Sequence, residues 1–194
     1  MKWRVDWPAR WKYEGVDFEP GGGDIGAAGG SYVTGKEIAK NVFDYEAPKY
    51  VYYEMINFKG ESGRFSGSKG NVLTVSDLLE IYEPEILRYL FVGTRPNKGF
   101  QISFDADVIK VYDEYDLLEE KYFDKIATPQ ERRIYELSQV KPAKKRSEKL
   151  SFRHLVTFVQ TGKTGELNAG SKLRAEKVKN WLENYAPEDF KFEV

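Results

Sequence analysis

The sequence predicts an α/β fold in its front part and a small helical bundle behind it. In the front part, this prediction rests on the order strand, helix, strand and on the glycine-rich segments that follow strands. In the rear part, apolar residues recur at the spacing of helices. With 194 residues, of which 41% are hydrophobic, the chain is long enough for one core and a smaller helical annex.

The composition excludes several kinds of site. The chain has no cysteine, which excludes disulfides, thiolate zinc sites and cysteine nucleophiles, and its one histidine, His154, cannot build an imidazole metal site alone. The formal net charge of -1 lacks the positive excess of a dedicated nucleic-acid binder, so RNA contacts would need a local patch. No apolar stretch approaches the ~20 residues of a membrane span. We therefore expect a cytoplasmic protein that binds no metal through its own side chains and has no membrane contact.

Three elements are predicted in the front part. Residues 3–7 alternate tryptophan and valine with charged side chains, which predicts a half-buried strand that ends at Pro8. Thr34 and Glu37 have the spacing of a capping box, which predicts a helix over residues 34–43. Residues 50–56 are aromatic and β-branched, as in a second strand. Because a helix connects the strands, we expect them to run parallel and to end at one edge of a doubly wound sheet.

A glycine-rich segment over residues 19–30 is one candidate ligand site. Glycine lets the backbone approach a ligand closely, and Asp24 at a strand end can accept hydrogen bonds from ribose hydroxyls. The N-terminus of the helix that follows would favour an anion. The alternative is a long flexible connector, and composition leaves both interpretations open.

A second candidate is the loop over residues 63–71, which lies between a predicted strand and a predicted helix. Its glycines can turn successive backbone N–H groups toward one point, and Ser66 and Ser68 add hydroxyl donors. Arg64 and Lys69 supply the positive charge that a polyphosphate needs. The loop therefore predicts phosphate binding, and the alternative is a solvated surface turn.

The rear part contains clear helix signals. The segment from Thr74 to Asp77 is predicted to cap a helix, a capping box begins at Thr128, and proline occupies a first-turn position at Pro84. The predicted elements are a helix after Thr74, a strand over 100–104, and helices over 85–92, 107–123, 129–139, 150–160 and 171–185.

Two charged stretches stand out in the rear part. The acidic run over residues 113–120 is interpreted as a solvated helix face, with a metal or acid/base cluster as the alternative. The basic stretch over residues 141–149 carries five cations, which fit either a solvated linker or a contact with RNA phosphates.

Several segments resemble class I lysyl-tRNA synthetases of the archaeal and spirochaete type, in the same order along the chain. The loop over residues 63–71 resembles the KMSKS signature in its KMSGSKGN form, with Arg64 and Phe65 where that family has lysine and methionine. The segments that carry the resemblance are 3–20 (WRVDWPARWKYEGVDFEP), 29–38 (GGSYVTGKEI), 63–71 (GRFSGSKGN), 78–85 (LLEIYEPE), 151–155 (SFRHL) and 180–188 (NWLENYAPE).

The resemblance implies the second half of a class I synthetase Rossmann-like domain followed by an α-helical stem or bundle region. It implies three parts: a catalytic half over 1–95, a helical stem-contact region with the basic linker over 96–150, and the start of an anticodon-binding-type region over 151–194. The implied activity is ATP-dependent activation of lysine and its transfer to tRNA-Lys, with Mg²⁺ accompanying ATP. No HIGH-like signature occurs in the sequence. We therefore expect either a separately encoded HIGH-containing half as a partner or a chain truncated from a longer enzyme.

The resemblance also assigns roles to residues. Arg64, Ser66, Ser68 and Lys69 would be the catalytic loop, and Gly22, Gly23, Asp24 and Lys69 would bind ATP. Trp3, Ile25 and Tyr53 would line the amino-acid pocket, although a core position is the alternative for Trp3.

Two departures from the family pattern fall in the glycine-rich segment. Gly23 and Ile25 stand where the family has lysine and histidine, and an isoleucine side chain neither donates a hydrogen bond nor carries charge. They favour a second hypothesis, a degenerate and non-catalytic relative that binds tRNA or a protein partner. A third is an inert fragment with an exposed sheet edge.

Overall fold

A computed structural model describes residues 3–59 and 74–190 as a mixed α/β structure that is mostly helical. The chain divides into two units. The first unit comprises Met1–Ile56 with Arg95–Phe100, and the second comprises Asn57–Thr94 with Gln101–Val194. The coarse prediction of an α/β chain with a helical rear part is confirmed, and the division at residues 95 and 150 stays a prediction.

The first unit is built from three helices and a parallel pair of strands. Its elements are α1 (Trp3–Glu14), β1 (Phe18–Gly22), α2 (Gly23–Gly26), α3 (Ser31–Phe43) and β2 (Lys49–Tyr53). β1 and β2 pair in parallel, with Phe18 opposite Lys49 and Gly22 opposite Tyr53. The second strand and the parallel sense of two strands joined by a helix are confirmed, but the partner of β2 is β1, which was not predicted, rather than residues 3–7.

The first predicted element is wrong, because residues 3–7 begin a helix rather than a strand. Trp3, Trp7 and Trp11 are four residues apart, which places them on one helix face. Their ring centroids are 6.3 Å apart between Trp3 and Trp7 and 4.8 Å apart between Trp7 and Trp11. Pro8 lies inside the helix and is buried. The four-residue spacing of the tryptophans was the signal for a helix, and it overrides the short alternation.

The start of the second helix also differs from the prediction. Gly30 is the N-cap of α3, so the helix begins at Ser31 and Thr34 lies within it. The Thr34 hydroxyl donates to the carbonyl oxygen of Gly30 at 3.2 Å. The predicted capping box of Thr34 and Glu37 is therefore not the start of the helix.

The second unit contains six longer helices in its described residues. They are α4 (Val75–Ile81), α5 (Pro84–Val92), α6 (Asp107–Phe123), α7 (Pro129–Ser138), α8 (Phe152–Gln160) and α9 (Ala169–Asn184). β3 (Ile56–Phe58) and β4 (Phe100–Ile102) form a second two-stranded sheet. The predicted helices and the strand of the rear part are confirmed, with ends that differ by a few residues.

Local signals explain why these helices begin where they do. The side chains of Thr74 and Asp77 form a reciprocal capping box at α4, and those of Thr128 and Glu131 form one at α7. Pro84 occupies the first turn of α5, where its missing N–H would have no helical partner. Each signal lies within four residues of the end that it sets, so the sequence alone predicts it.

The core of the second unit surrounds one buried cation. Arg174 on α9 is 0% exposed, and its guanidinium binds both carboxylate oxygens of Asp116 at 2.7 and 2.9 Å. It also donates to Glu83 and lies over the Tyr112 ring at 5.0 Å. Burial disfavours the charge, but the two carboxylates outweigh it and raise the pKa of Arg174. The core thus holds an ion triad that joins α9 to α6 and to the N-cap of α5.

The acidic run of α6 is only partly the solvated face that was predicted. Asp113 and Glu120 are half-buried, and they make ion pairs with Arg153 and Arg146. Asp116 faces Arg174, and Glu119 is 6% exposed and accepts a hydrogen bond from the Tyr135 hydroxyl. Burial raises the pKa of Glu119. Two of the carboxylates are therefore core groups of the helix.

The basic stretch over residues 141–149 is used mainly for internal contacts. Lys149 pairs with Glu83 at 2.5 Å, Arg146 with Glu120 at 3.3 Å, and Lys145 with Glu148 at 3.3 Å. Lys141 and Lys144 are exposed. Six of the nine residues are exposed, as the interpretation of a solvated linker predicted, while Lys149 and Arg146 fix this strap to the start of α5 and to α6; the contact with RNA stays a prediction.

Candidate active site

The carboxyl ends of β1 and β2 form the candidate ligand edge of the first unit. Gly22 and Tyr53 are direct partners across the parallel ladder, so these two predicted site residues lie side by side. Asp24 and Ile25 follow at once in the short helix α2. In open α/β sheets, ligands bind outside the carboxyl ends of the strands. The structure therefore brings together Gly22, Gly23, Asp24, Ile25 and Tyr53 at an edge where a ligand is expected.

Glycines in this segment are packed against two tyrosine rings of β2. A Cβ atom added at Gly21 would lie 2.5 Å from the Tyr50 hydroxyl oxygen, and one added at Gly26 would lie 2.6 Å from the Cε1 of the same ring. A Cβ atom at Gly23 would lie 2.8 Å from the Cε2 of Tyr52. A larger residue at any of these positions would force a tyrosine ring to shift whether or not a ligand is bound, which gives the segment a structural role that composition did not reveal.

Tyr50 ties the glycine segment to the rest of the unit. Its hydroxyl donates to the carbonyl oxygen of Gly22 at 2.6 Å, and its ring stacks on Tyr32 with centroids 4.4 Å apart. Burial raises the pKa of Tyr50, and the charges of Tyr53 and Asp24 add to the rise. Tyr50 and Tyr52 were missed by the sequence interpretation, although their alternation opposite a glycine-rich segment was a usable signal.

Asp24 is exposed, and its carboxylate lies over the end of β1. Oδ1 accepts a hydrogen bond from the backbone N–H of Ile25 at 3.1 Å and lies 3.1 Å from where a Cβ of Gly22 would be. An exposed carboxylate at this edge can accept hydrogen bonds from ligand hydroxyls. Ile25 is half-buried beside it and offers only apolar contact.

Trp3 lies at the far end of a series of aromatic rings that leads to Tyr32. Its side chain is 54% exposed at the start of α1, where the Arg4 guanidinium lies 5.9 Å from its ring centroid. The series continues through Trp7 and Trp11 to Tyr32, whose centroid is 5.7 Å from that of Trp11. Trp3 is therefore not a core residue of the described part, and its place in an amino-acid pocket stays a prediction.

A cavity of the first unit lies at the amino ends of the strands, opposite the edge that carries Asp24 and Tyr53. It measures about 660 Å³ and is lined by Asp17, which precedes β1, by Lys49, which begins β2, and by the rings of Tyr32 and Tyr50. Ligand sites of parallel sheets are found at the carboxyl ends. We therefore place the candidate site at Asp24 and Tyr53.

The predicted catalytic loop with Arg64, Ser66, Ser68 and Lys69 lies outside the described residues. The residues on either side of it are well anchored in the second unit. Lys59 binds the carboxylates of Asp105 and Asp107 at 2.8 and 2.5 Å, and Thr74 begins the capping box of α4.

The anchor at Lys59 gives a prediction for the pH dependence of stability. Burial raises the pKa of Asp105, but hydrogen bonds from Lys59 and Ser103 outweigh it and lower that pKa to about 2. The unfolded value is about 3.9, so the stabilisation is fully present above that pH and is lost as the pH falls toward 2. We expect the melting temperatures of the wild type and of Asp105→Asn to differ most above pH ~4 and to converge below it. Circular dichroism melts between pH 2.5 and 6 measure this.

The control for that experiment is Asp124→Asn, at an exposed position at the end of α6. Its melting temperature should follow that of the wild type throughout the range. A difference between wild type and Asp105→Asn that stays constant down to pH 2.5 would contradict the assignment.

No membrane-spanning helix and no metal cluster occur in residues 3–59 and 74–190. None of the helices there is both long and apolar enough to cross a membrane. In the same residues, no three His, Cys, Asp or Glu side chains gather into a group that could hold a metal ion.

Comparison with known proteins identifies the family. The profile described as "tRNA synthetases class I (K)" matches residues 1–141, which is well over half of the chain. The chain belongs to the class I (K) tRNA synthetases. The match includes the ligand edge of β1 and β2 and the loop that carries Lys69.

Lysine–tRNA ligases of several organisms are similar to the whole of this chain. A lysine–tRNA ligase of Thermococcus kodakarensis is 41% identical over 220 residues, which cover 100% of this chain and 42% of that protein. One of Borrelia garinii subsp. bavariensis is 42% identical over 211 residues, with 99% of this chain and 40% of that protein covered. One of Pyrococcus furiosus is 41% identical over 218 residues. The chain thus spans about two fifths of the length of these relatives.

Proposed function

We propose that this class I (K) synthetase chain is the rear part of a lysine–tRNA ligase and acts together with a HIGH-containing half. The observation that carries the proposal is the similarity to lysine–tRNA ligases along the whole chain. The parallel edge that presents Asp24 and Tyr53 supports it, because class I chemistry needs a nucleotide at the carboxyl ends of such strands. In the proposed architecture, residues 1–95 are the rear of the Rossmann-like half, 96–150 the stem contact and 151–194 the start of the tRNA-binding helices.

The reaction has two steps. A carboxylate oxygen of lysine attacks the α-phosphorus of ATP, the bond to the bridging oxygen breaks, and pyrophosphate leaves. The 2′- or 3′-hydroxyl of tRNA-Lys then attacks the carbonyl of the adenylate, and AMP leaves with the bonding electron pair. Such steps depend on positioning and on stabilisation of developing negative charge rather than on a side-chain nucleophile.

Each predicted residue has one task in this scheme. Lys69 and Arg64, with the hydroxyls of Ser66 and Ser68, stabilise the charge on the departing pyrophosphate, and Mg²⁺ enters with the ATP phosphates. Asp24 accepts hydrogen bonds from the ribose next to the backbone of Gly22 and Gly23. The amino-acid pocket is formed by Trp3, Ile25 and Tyr53 with residues of the other half.

The test is lysine-dependent exchange of pyrophosphate into ATP. The chain is assayed alone and mixed with the HIGH-containing half of a close relative. We expect exchange only in the mixture, and we expect Lys69→Ala to lower it on the order of a hundredfold, because one charge-stabilising donor is removed. Lys144→Ala, which removes an exposed lysine of the strap, is the matched control and should leave the rate unchanged. Absence of exchange in a mixture of folded chains would contradict the proposal.

A second candidate function is a non-catalytic relative that binds tRNA. The observation that favours it is the packing of Gly21, Gly23 and Gly26 on tyrosine rings, since these glycines are then needed for the fold without any nucleotide. Ile25 removes a polar group from the same edge. Binding of tRNA-Lys in fluorescence anisotropy, by a chain that shows no exchange in the mixture, would establish this function instead.

A further inference from the structure

A tight turn of the chain over residues 95–98 carries a cation at each end. Its sequence is Arg95-Pro96-Asn97-Lys98, and the N–H of Lys98 donates to the carbonyl oxygen of Arg95 at 2.9 Å. This bond closes a β-turn, in which proline at the second position fixes the backbone in advance. The two ends of a β-turn lie less than about 7 Å apart, so the backbone holds Arg95 and Lys98 close together.

Two backbone contacts fix this turn at the carboxyl end of β2. The N–H of Glu54, which directly follows Tyr53 and the end of the strand, donates to the carbonyl oxygen of Pro96 at 2.7 Å. A Cβ atom added at Gly99 would lie 2.9 Å from the carbonyl oxygen of Met55, so a larger residue there would push the two segments apart. The turn and the strand both belong to the first unit. The two cations therefore lie at the candidate ligand edge.

The cations of the turn have no counter-ion in the part of the chain that the structure describes. Arg95 and Lys98 are exposed, and neither side chain makes an ion pair or a hydrogen bond there. Glu54, whose backbone anchors the turn, directs a carboxylate oxygen to the N–H of Met55 at 3.3 Å instead. Residues 86–104 contain three cations and no carboxylate side chain, in a chain whose charges are otherwise balanced. The turn therefore offers two positive charges to a ligand from outside.

Phosphate is the anion that suits this pair of cations. An arginine can donate two parallel hydrogen bonds to a phosphate, and a lysine adds a compact charge on a flexible side chain. Because both side chains are exposed, they suit phosphates that pass over the surface rather than phosphates enclosed in a pocket. In the proposed reaction, the second step brings the terminal hydroxyl of tRNA-Lys to the adenylate at this same edge. The phosphates next to that hydroxyl must then pass the rim where the turn lies.

We propose that Arg95 and Lys98 bind phosphate groups of the tRNA-Lys strand that brings the terminal hydroxyl to the ligand edge. The turn positions this strand and reads no base, because contacts to phosphates carry no sequence information directly. This inference rests on the proposed function and adds a tRNA contact in the first unit to the helices assigned above. The phosphates of ATP are a second source of the same anion, but the scheme already assigns them to Lys69 and Arg64.

The test is the binding of fluorescently labelled tRNA-Lys to the full chain, measured by anisotropy at salt concentrations between about 50 and 200 mM. The glutamine variant carries Arg95→Gln and Lys98→Gln. We expect it to bind on the order of tenfold more weakly than the wild type at the lowest salt. The slope of log affinity against log salt should fall by about one to two, because up to two phosphate contacts are lost. Other tRNAs should lose affinity by the same factor.

The matched control carries Lys36→Gln and Lys40→Gln, which remove two exposed cations from α3. Lys36 lines the cavity at the amino ends of the strands and Lys40 lies in the last turn of the helix, so both are away from the ligand edge. The control should bind tRNA like the wild type, and so should a variant with Arg95→Lys and Lys98→Arg, which keeps both charges. Far-UV circular dichroism will show that each variant is folded.

Three results would overturn the proposal. They are a wild-type chain that binds no tRNA at low salt, a glutamine variant that binds like the wild type, and a control that loses as much affinity as that variant. ATP–pyrophosphate exchange in the mixture with the HIGH-containing half separates the two sources of phosphate. A raised KM for ATP in the glutamine variant, with unchanged affinity for tRNA, would assign the turn to ATP and overturn the proposal. Absence of exchange, with the expected loss of tRNA affinity, would contradict the ligase activity and leave the tRNA contact standing.

Discussion

Replacement of Arg174 with methionine is expected to lower the free energy of unfolding of the second unit by about 3–5 kcal/mol. Arg174 is 0% exposed, and the side chains of its two acidic partners, Glu83 and Asp116, are 12% and 23% exposed. Without the guanidinium, two largely buried carboxylates keep their charge and lose their main counter-ion. Lys149 still pairs with Glu83, but Asp116 has no second cation among its ion pairs in the described residues.

The measurement is urea unfolding followed by circular dichroism, with amide hydrogen exchange of α9 as the local readout. Lys110→Met removes an exposed cation that makes only a 3.8 Å pair with Glu114, and we expect it to cost less than about 0.5 kcal/mol. If Arg174→Met were no more costly than Lys110→Met, the ion triad would not contribute to the stability of the core.

Removal of the whole triad should cost much less than removal of its centre. In the quadruple variant Arg174→Met, Glu83→Gln, Asp116→Asn and Lys149→Met, which also removes the second cation that pairs with Glu83, no buried charge remains without a partner. Such replacements of buried ion pairs are often close to neutral, so we expect the quadruple variant to recover most of the stability lost in Arg174→Met. This recovery separates the cost of the unpaired carboxylates from the loss of packing around Tyr112.

The helices of the second unit could be predicted because their signals are local. Thr74 and Thr128 determine where α4 and α7 begin through bonds to residues three positions on, and those bonds form wherever the helix lies. Arg174 could not be predicted in this way. Its partners lie 58 and 91 residues away, so nothing near it in the sequence distinguishes it from a solvated arginine.

The candidate site shows the same division between local and distant information. Asp24 was predicted at the end of a strand, and it follows β1, whose last residue, Gly22, lies opposite Tyr53, although β1 itself was not among the predicted strands. The role of the glycines depends on Tyr50 and Tyr52, which are about 28 residues further along the chain.

Residues 3–7 show a third case, in which two local periods compete. Five alternating residues suggested a strand, while the tryptophans at four-residue intervals belong to the helix that forms.

The second large effect is expected for Gly30→Ala, at the N-cap of α3. A Cβ atom there would lie 2.7 Å from the carbonyl oxygen of Ala27 and 2.9 Å from that of Asp24, and it would also clash with the carbonyl oxygen of Ile25. These are backbone atoms, so the clash cannot be relieved by rotation of a side chain. We expect a loss of about 2–3 kcal/mol, at the upper end of what overpacking usually costs.

Amide hydrogen exchange in α3 and β2 measures this loss within the first unit. Gly165→Ala is the matched control, because a Cβ atom at Gly165 would have no neighbour within 4 Å. Equal exchange in both variants would show that the carbonyl groups around Gly30 can move aside at little cost.

The result also bears on the ligand edge, since the carbonyls that would be displaced belong to the segment that carries Asp24 and Ile25. A variant that stays folded but loses ATP–pyrophosphate exchange in the mixture with the other half would link the shape of this segment, rather than its sequence alone, to nucleotide binding.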